Sequence, residues 1–209
     1  MILEGFPVGM LEANCYIIGC EKTKEAAVVD PGGDVRRILG VLQKYNLNCR
    51  YIILTHGHAD HIGGLNKLQE ATKAQVFIHA DDAKMLNNPM SNFSFFAGSS
   101  AKFKEPDRLL RDKDIVKVGT ITIEVIHTPG HTPGGISLKV GDCLLTGDTL
   151  FAGSVGRSDF PGGSHRQLIN SIKEKLLIFP PETKVLSGHG PASTIGEESK
   201  YNPFLTGEW

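Results

Sequence analysis

The sequence predicts an α/β fold in which two mixed β-sheets pack face to face and helices cover their outer faces, a four-layer αββα sandwich. Two observations support this fold class. Short, β-rich apolar runs alternate with segments of helical periodicity, and both halves of the chain place strands before a helix. No linker-like segment separates the halves, so we expect one domain spanning residues 1–209.

The individual elements follow from local pattern. In the first half we expect strands at 13–19, 26–29, 51–54 and 75–78, and helices at 34–45, 62–72 and about 80–86. In the second half we expect strands at 121–126, 135–140, 143–146 and 184–186, and a helix at 164–177. Asp34 and Ser164 are expected to be the N-caps of their helices, because short polar side chains accept hydrogen bonds from free backbone N–H groups.

Residues 87–113 interrupt this alternation. They contain Asn-Pro and Gly-Ser-Ser sequences and three phenylalanines, Phe93, Phe95 and Phe96. Long segments of this kind in compact domains often form lids or binding loops. A covering segment whose phenylalanines pack on the core is an equally good interpretation, and both stay open.

Composition excludes several functions. The chain has 209 residues, 40% hydrophobic and 22% charged, with a formal net charge of −1. Because it has neither an overall positive charge nor a basic run, we expect no nucleic-acid binding. The N-terminus does not resemble a signal peptide, and no apolar stretch is long enough for a bilayer, so we expect no membrane association. Four cysteines without a CxxC pair suggest reduced thiols in the cytoplasm. The sequence leaves the oligomeric state open.

Metal-binding side chains are concentrated in the segment Thr55-His56-Gly57-His58-Ala59-Asp60-His61, directly after an apolar run. Imidazole and carboxylate groups bind Zn²⁺ and related divalent ions. Three later apolar runs each lead to another such residue: His131, Asp148 and His189. Since loops at the carboxyl ends of strands converge at one edge of a sheet, we expect these seven side chains to form one site. Glycines beside them allow tight turns.

The motif His56-x-His58-x-Asp60-His61, followed by His131, Asp148 and His189, resembles the metallo-β-lactamase superfamily over nearly the whole chain. The segments around Thr128-Pro129-Gly130-His131-Thr132 and Leu145-Thr146-Gly147-Asp148-Thr149 are most similar to the hydroxyacylglutathione hydrolase, or glyoxalase II, branch.

This resemblance implies a binuclear metal-dependent hydrolase. His56, His58 and His131 would hold one divalent ion, and Asp60, His61 and His189 the second, with Asp148 bridging. The ions would be Zn²⁺, with iron or manganese as alternatives. The implied reaction is cleavage of a thioester such as S-D-lactoylglutathione by a metal-bridging hydroxide, because bound metal can lower the pKa of water to about 7. Asp60 and Asp148 would be catalytic. The net positive charge of the loaded site would favour a small anionic thioester.

The chain departs from full-length glyoxalase II, which carries an added C-terminal helical domain with basic residues for glutathione. We therefore expect no such separate domain and leave glutathione recognition open. The glycine-rich segment after Asp148 supplies candidate substrate-binding residues, Arg157, Asp159 and Phe160. Arg157 can bind a substrate carboxylate, or it can form an ion pair with Asp159 that braces the loop.

The main alternative is a persulfide dioxygenase with one iron, which the segment 156–160 also resembles. In those enzymes two histidines and one carboxylate bind one face of the iron, and the corresponding residues here would be His56, His131 and Asp148. Pro161-Gly162-Gly163 in place of the glutamines typical of those enzymes favours the hydrolase. Hydrolysis of a lactone or a phosphodiester also remains open. A β-lactamase is less expected, because common subclasses have Cys or Ser at the position of Asp148.

Overall fold

The structure is a computed structural model that describes residues 1–95 and 102–207. Its first sheet contains six strands, β1 to β6 in both spatial and sequence order. They are β1 (Ile2–Val8), β2 (Ala13–Gly19), β3 (Glu25–Val29), β4 (Asn48–Ile53), β5 (Gln75–His79) and β6 (Arg108–Leu110). The pairs β1–β2 and β2–β3 are antiparallel, whereas β3 to β6 are parallel, so the sheet is mixed as predicted.

The second sheet also has six strands, in the spatial order β14-β13-β10-β9-β8-β7. Its strands are β7 (Ile115–Val118), β8 (Ile121–His127), β9 (Ile136–Val140), β10 (Cys143–Gly147), β13 (Lys184–Ser187) and β14 (Ser193–Thr194). Only β10 and β13 pair in parallel within this sheet. A two-stranded ribbon, β11 (Leu150–Phe151) with β12 (Ser154–Val155), follows β10.

The helices lie between these strands, except for the last two, which follow β14. They are α1 (Val35–Lys44), α2 (Ala59–Ile62), α3 (Leu65–Thr72), a 3₁₀ helix (Ala83–Asn87), α4 (His165–Ser171) continued by a π-helical turn (Ile172–Leu176), α5 (Ile195–Tyr201) and α6 (Pro203–Thr206). Ser164 caps α4 as predicted, because its side chain accepts a hydrogen bond from the N–H of Gln167.

Three apolar clusters define the layers. The middle cluster joins the inner faces of the two sheets and includes Ile53 and Leu138. A second cluster packs α1 and α3 on the outer face of the first sheet, for example through Ile38 and Leu68. A third packs α4, α5 and α6 on the outer face of the second sheet, with Leu168 fully buried. These layers confirm the predicted αββα sandwich.

One local prediction was wrong. Asp34 stands at the start of α1, but its φ of 45° is left-handed and its side chain makes no cap. The carboxylate instead accepts a hydrogen bond from the N–H of Gly9 in the β1–β2 turn. The helix predicted at 62–72 is confirmed as α3, which begins three residues later, after the glycine pair 63–64, where the N–H of Gly64 donates to the carbonyl of Pro31.

The edge strands β1, β6 and β7 and the helices after β14 were not predicted from the sequence. Strand β7 has the alternating buried and exposed pattern of a half-buried strand, but only four residues carry it. No helix among residues 1–95 and 102–207 is long and apolar enough to cross a membrane.

Candidate metal centre

Four chain segments converge at one end of the sandwich. The segment from His56 to His61 follows β4 in the first sheet and includes α2. His131 follows β8, Asp148 follows β10 and His189 follows β13, all in the second sheet. Backbone hydrogen bonds tie the sheets together here, because Ile136 donates to Thr55 at 2.9 Å and Asn14 donates to Gly188 at 2.7 Å.

The structure brings all seven predicted ligands together. Within each of three groups, one donor atom per residue lies within 4.8 Å of the others; the groups are His56, His58 and His131, then His56, His61 and Asp148, then Asp60, His61 and His189. The first and third groups have the composition expected for two separate ions, and the second connects them.

Asp148 lies between the two outer groups. Its Oδ1 is 3.4 Å from Nε2 of His61, and its Oδ2 is 3.6 Å from Nε2 of His131 and 3.8 Å from Nε2 of His189. One carboxylate therefore contacts members of both groups, the position that a bridging ligand requires. Within the third group, Asp60 Oδ2 is 3.1 Å from Nε2 of His189.

Neighbouring groups fix the orientation of three imidazole rings. Nδ1 of His56 is 3.1 Å from the hydroxyl of Thr55, Nδ1 of His61 is 3.0 Å from the carboxylate of Asp30, and Nδ1 of His131 is 2.7 Å from the carbonyl of Arg157. Each contact holds the ring by one nitrogen and leaves Nε2 directed at the centre. Such contacts behind metal-binding histidines fix the tautomer and raise ligand basicity.

Unpartnered polar atoms at the centre fit a cation. Among the described residues, five buried side-chain N or O atoms lack a hydrogen-bond partner, and three of them are Nε2 of His56, Nε2 of His61 and Oδ1 of Asp148. Buried polar atoms without a partner are costly unless they bind an ion. The donor set, imidazole and carboxylate without thiolate, suits Zn²⁺, iron or manganese.

The pKa shifts of several candidate ligands also suit a metal ion. Burial and the neighbouring imidazoles lower the pKa of His56, and mainly burial lowers that of His58 to about 3. Both rings are therefore neutral at pH 7 and keep a lone pair for a metal. Burial opposes ionisation of Asp60, but the hydrogen bond from His189 and the charge of His61 outweigh it and lower the pKa of Asp60. His61 and His189 differ from His56 and His58: burial is outweighed by the charges of Asp148 and Asp30, which raise the pKa of His61, and the hydrogen bond to Asp60 raises the pKa of His189. Binding of a metal ion at these two nitrogens would therefore release protons.

A second buried carboxylate, Asp82, connects two of the ligand-bearing loops. It accepts hydrogen bonds from the N–H of Gly57 at 3.2 Å, the hydroxyl of Thr132 at 2.7 Å and the N–H of Gly134 at 2.6 Å. Gly57 lies between His56 and His58, and Thr132 is next to His131. Asp82 is fully buried, and burial raises its pKa. We call this three-way contact the Asp82 clamp.

Asp30, Thr55 and Asp82 were not predicted as site residues. Asp30 accepts hydrogen bonds from both the N–H and the hydroxyl of Thr55, at 2.7 and 2.6 Å, and so connects His61 with His56. Asp30 directly follows β3 and Asp82 lies shortly after β5. The signal available for both was the same as for Asp148, a carboxylate close to the carboxyl end of an apolar strand.

Gly188 is needed for close approach rather than for an unusual backbone angle. A Cβ at this position would lie 2.2 Å from Oδ1 of Asp148 and 2.9 Å from Cε1 of His61. Atoms of a side chain cannot be accommodated at these distances, so only glycine lets the His189 loop pack against the centre.

A cavity of about 890 Å³ opens above the centre. Five of the predicted ligands line it, together with Arg157 and Phe160; the five are His58, Asp60, His131, Asp148 and His189. Asp159 does not line the cavity; its carboxylate binds Arg157 through two hydrogen bonds of 2.9 and 2.8 Å, which is the bracing pair considered from the sequence. Arg157 also lies over the ring of Phe160, 3.7 Å from its centre.

Within the described part of the segment 87–113, Phe93 is the aromatic residue that lines this cavity. Phe93 lies 5.0 Å from the ring of His58 and 4.3 Å from that of Phe160, between ring centres. Phe95 is exposed, and Phe96 lies outside the described residues. Lys102 and Lys104 are exposed and do not line the cavity.

Another group of candidate donors, His79, Asp81 and His127, lies away from these seven. The two rings stack with centres 4.0 Å apart and planes inclined by 12°. Lone pairs of imidazole lie in the ring plane, so parallel stacked rings do not direct them at one ion. This arrangement favours a structural role for both histidines.

Comparison with known proteins supports the resemblance found in the sequence. Residues 8–189 match the family model described as "Metallo-beta-lactamase superfamily". The hydroxyacylglutathione hydrolase GloC of Haemophilus influenzae is 35% identical, over 98% of this chain and 98% of its own. Among solved structures, the B3 metallo-beta-lactamase BLEG-1 is 38% identical with a TM-score of 0.93, covering 98% of this chain and all of its own. TTHA1623, solved in a di-iron-bound form, is 34% identical with a TM-score of 0.83, covering 97% and 100%. The chain belongs to the metallo-beta-lactamase superfamily.

Proposed function

We propose that this protein is a binuclear metal-dependent hydrolase that cleaves a thioester. The observation that carries the proposal is the convergence of seven imidazole and carboxylate side chains, three of them with buried unpartnered donor atoms, beneath an open cavity. The relationship to GloC, whose name is that of a thioester hydrolase, supports the bond type.

Two divalent ions bound there would activate water at neutral pH and polarise the carbonyl group of the substrate. His56, His58 and His131 would hold one ion and Asp60, His61 and His189 the other, with Asp148 contacting both. Zn²⁺, iron and manganese all suit these ligands. The di-iron-bound form of TTHA1623 supports iron as one of these candidates.

The protein's own groups have two roles in this proposal: they fix the metal ligands and they orient the attacking water. Contacts at Nδ1 orient the rings of His56, His61 and His131, so the ligand geometry is fixed before the substrate binds. Asp60 borders the cavity as an ionised carboxylate that can accept a hydrogen bond from the attacking water and so orient it. Water adds to the carbonyl carbon and releases a proton to solvent, the C–S bond breaks, and the thiolate leaves with the bonding pair. That thiolate then receives a proton from solvent.

A panel of substrates tests the proposal. The metal-loaded protein is expected to hydrolyse S-D-lactoylglutathione and other thioesters. Asp60→Asn is expected to reduce kcat at least a hundredfold and to weaken binding of the second ion, because Asp60 would be one of its ligands. Stoichiometric oxygen uptake with a persulfide and one iron per chain would instead establish the dioxygenase. Hydrolysis of lactones or phosphodiesters without any thioester turnover would assign a different bond.

The similarity to BLEG-1 favours a second candidate, hydrolysis of a β-lactam amide. The chemistry is closely related, since both reactions add water to an activated carbonyl group. Including a β-lactam in the same panel decides between the two, because kcat/KM values for both bonds are then measured on one preparation.

A further inference from the structure

The cavity above the centre is lined mainly by apolar side chains. Val8, Met10, Leu11, Phe93, Phe151 and Val155 all face it, in addition to Phe160. Met10 and Leu11 form the turn between β1 and β2 and are 98% and 67% exposed. Large apolar side chains this exposed at the rim of a ligand cavity are available to be covered by an apolar ligand.

Positive charge is scarce in the same cavity. Apart from the seven candidate ligands, Arg157 is the charged side chain that lines it within the described part of the chain. Its guanidinium group is already engaged by both carboxylate oxygens of Asp159 and by the ring of Phe160. The sequence of residues 96–101 contains no Lys or Arg, so that segment adds no cation.

We infer that the substrate of this site is a thioester whose thiol portion is apolar and uncharged. The inference rests on the proposed function. A glutathione portion carries two carboxylates and an ammonium group, and removing such charges from water without partners is unfavourable. An apolar thiol portion would be covered by Met10, Leu11 and Phe93, whose burial is favourable.

Two thioesters with the same lactoyl group test the inference: one with glutathione and one with benzyl mercaptan. We expect the KM of the benzyl thioester to be at least tenfold lower. An equal or lower KM for the glutathione thioester would overturn the inference while leaving the proposed function intact. Hydrolysis of neither would overturn the proposed function and this inference with it.

A matched pair of surface variants assigns the effect to the cavity rim. Leu11→Ser is expected to raise the KM of the benzyl thioester about three- to tenfold, because the substrate then buries less apolar surface. Ile178→Ser is the control, since Ile178 is 70% exposed and does not line the cavity. Equal effects of the two variants would contradict the assignment.

The ion pair between Arg157 and Asp159 provides an independent test of the inference. Asp159→Ala leaves the guanidinium group of Arg157 without its carboxylate, so we expect the KM of the glutathione thioester to fall about three- to tenfold and that of the benzyl thioester to stay the same. An unchanged KM for the glutathione thioester would contradict the claim that this pair withholds the cation from the cavity.

Discussion

The Asp82 clamp predicts that a residue with no direct contact to a metal controls metal binding. In Asp82→Asn one carboxylate oxygen becomes an NH₂ group. If that group replaces Oδ1 it faces the N–H of Gly134, and if it replaces Oδ2 it faces the N–H of Gly57. In either orientation one buried backbone N–H loses its acceptor. The loss of a charged hydrogen bond together with an unsatisfied donor is expected to cost about 2–4 kcal/mol of unfolding free energy.

The same change loosens the loops that carry His58 and His131. Outer contacts of this kind typically change metal affinity 10- to 100-fold. We therefore expect Asp82→Asn to lose the ion of the His56, His58 and His131 group first, measured by metal titration, with stability measured by urea unfolding of the metal-free protein. Asp81→Asn is the control, because the neighbouring side chain is 58% exposed. Wild-type affinity for both ions in Asp82→Asn would refute the reasoning, and so would an equal loss in Asp81→Asn.

Two further predictions concern the same centre. Gly188→Ala places a methyl group 2.2 Å from Oδ1 of Asp148, so we expect loss of at least one metal per chain in elemental analysis while circular dichroism stays native; two metals at wild-type affinity would show that the loop can move aside. Asp30→Asn removes the carboxylate behind His61 and Thr55, so we expect metal affinity to fall 10- to 100-fold in a chelator competition assay, and an unchanged affinity would argue against its role in fixing these rings.

The sequence predicted the layers because the central strands are strongly apolar. Strand β3 is buried over four successive residues and β10 over all five, which makes them visible as continuous apolar runs. The edge strands β6 and β7 span three and four residues and are half-buried, so their pattern is too short to recognise. The helix predicted from residue 62 begins only at Leu65, because the N–H of Gly64 donates to Pro31 from a distant part of the chain, and no local pattern contains that contact.

The candidate ligands were found because their residue types are rare in cores and because each follows an apolar strand. The carboxylates that orient these ligands and their loops were harder to predict from the sequence. Asp30 and Asp82 lie in turn-like sequences, and their partners Thr55, Thr132 and Gly134 are distant along the chain. The interpretation of Arg157 depended on geometry as well, since the sequence allowed both a substrate contact and the ion pair with Asp159.

Metal stoichiometry tests the central claim most directly. Elemental analysis of the purified protein, loaded in turn with zinc, iron and manganese and freed of excess ion, is expected to give two ions per chain, falling to one in His189→Ala. Thioester hydrolysis should disappear on chelation and return when the ions are restored. A wild-type protein that binds one ion or none under all three conditions would contradict the binuclear centre.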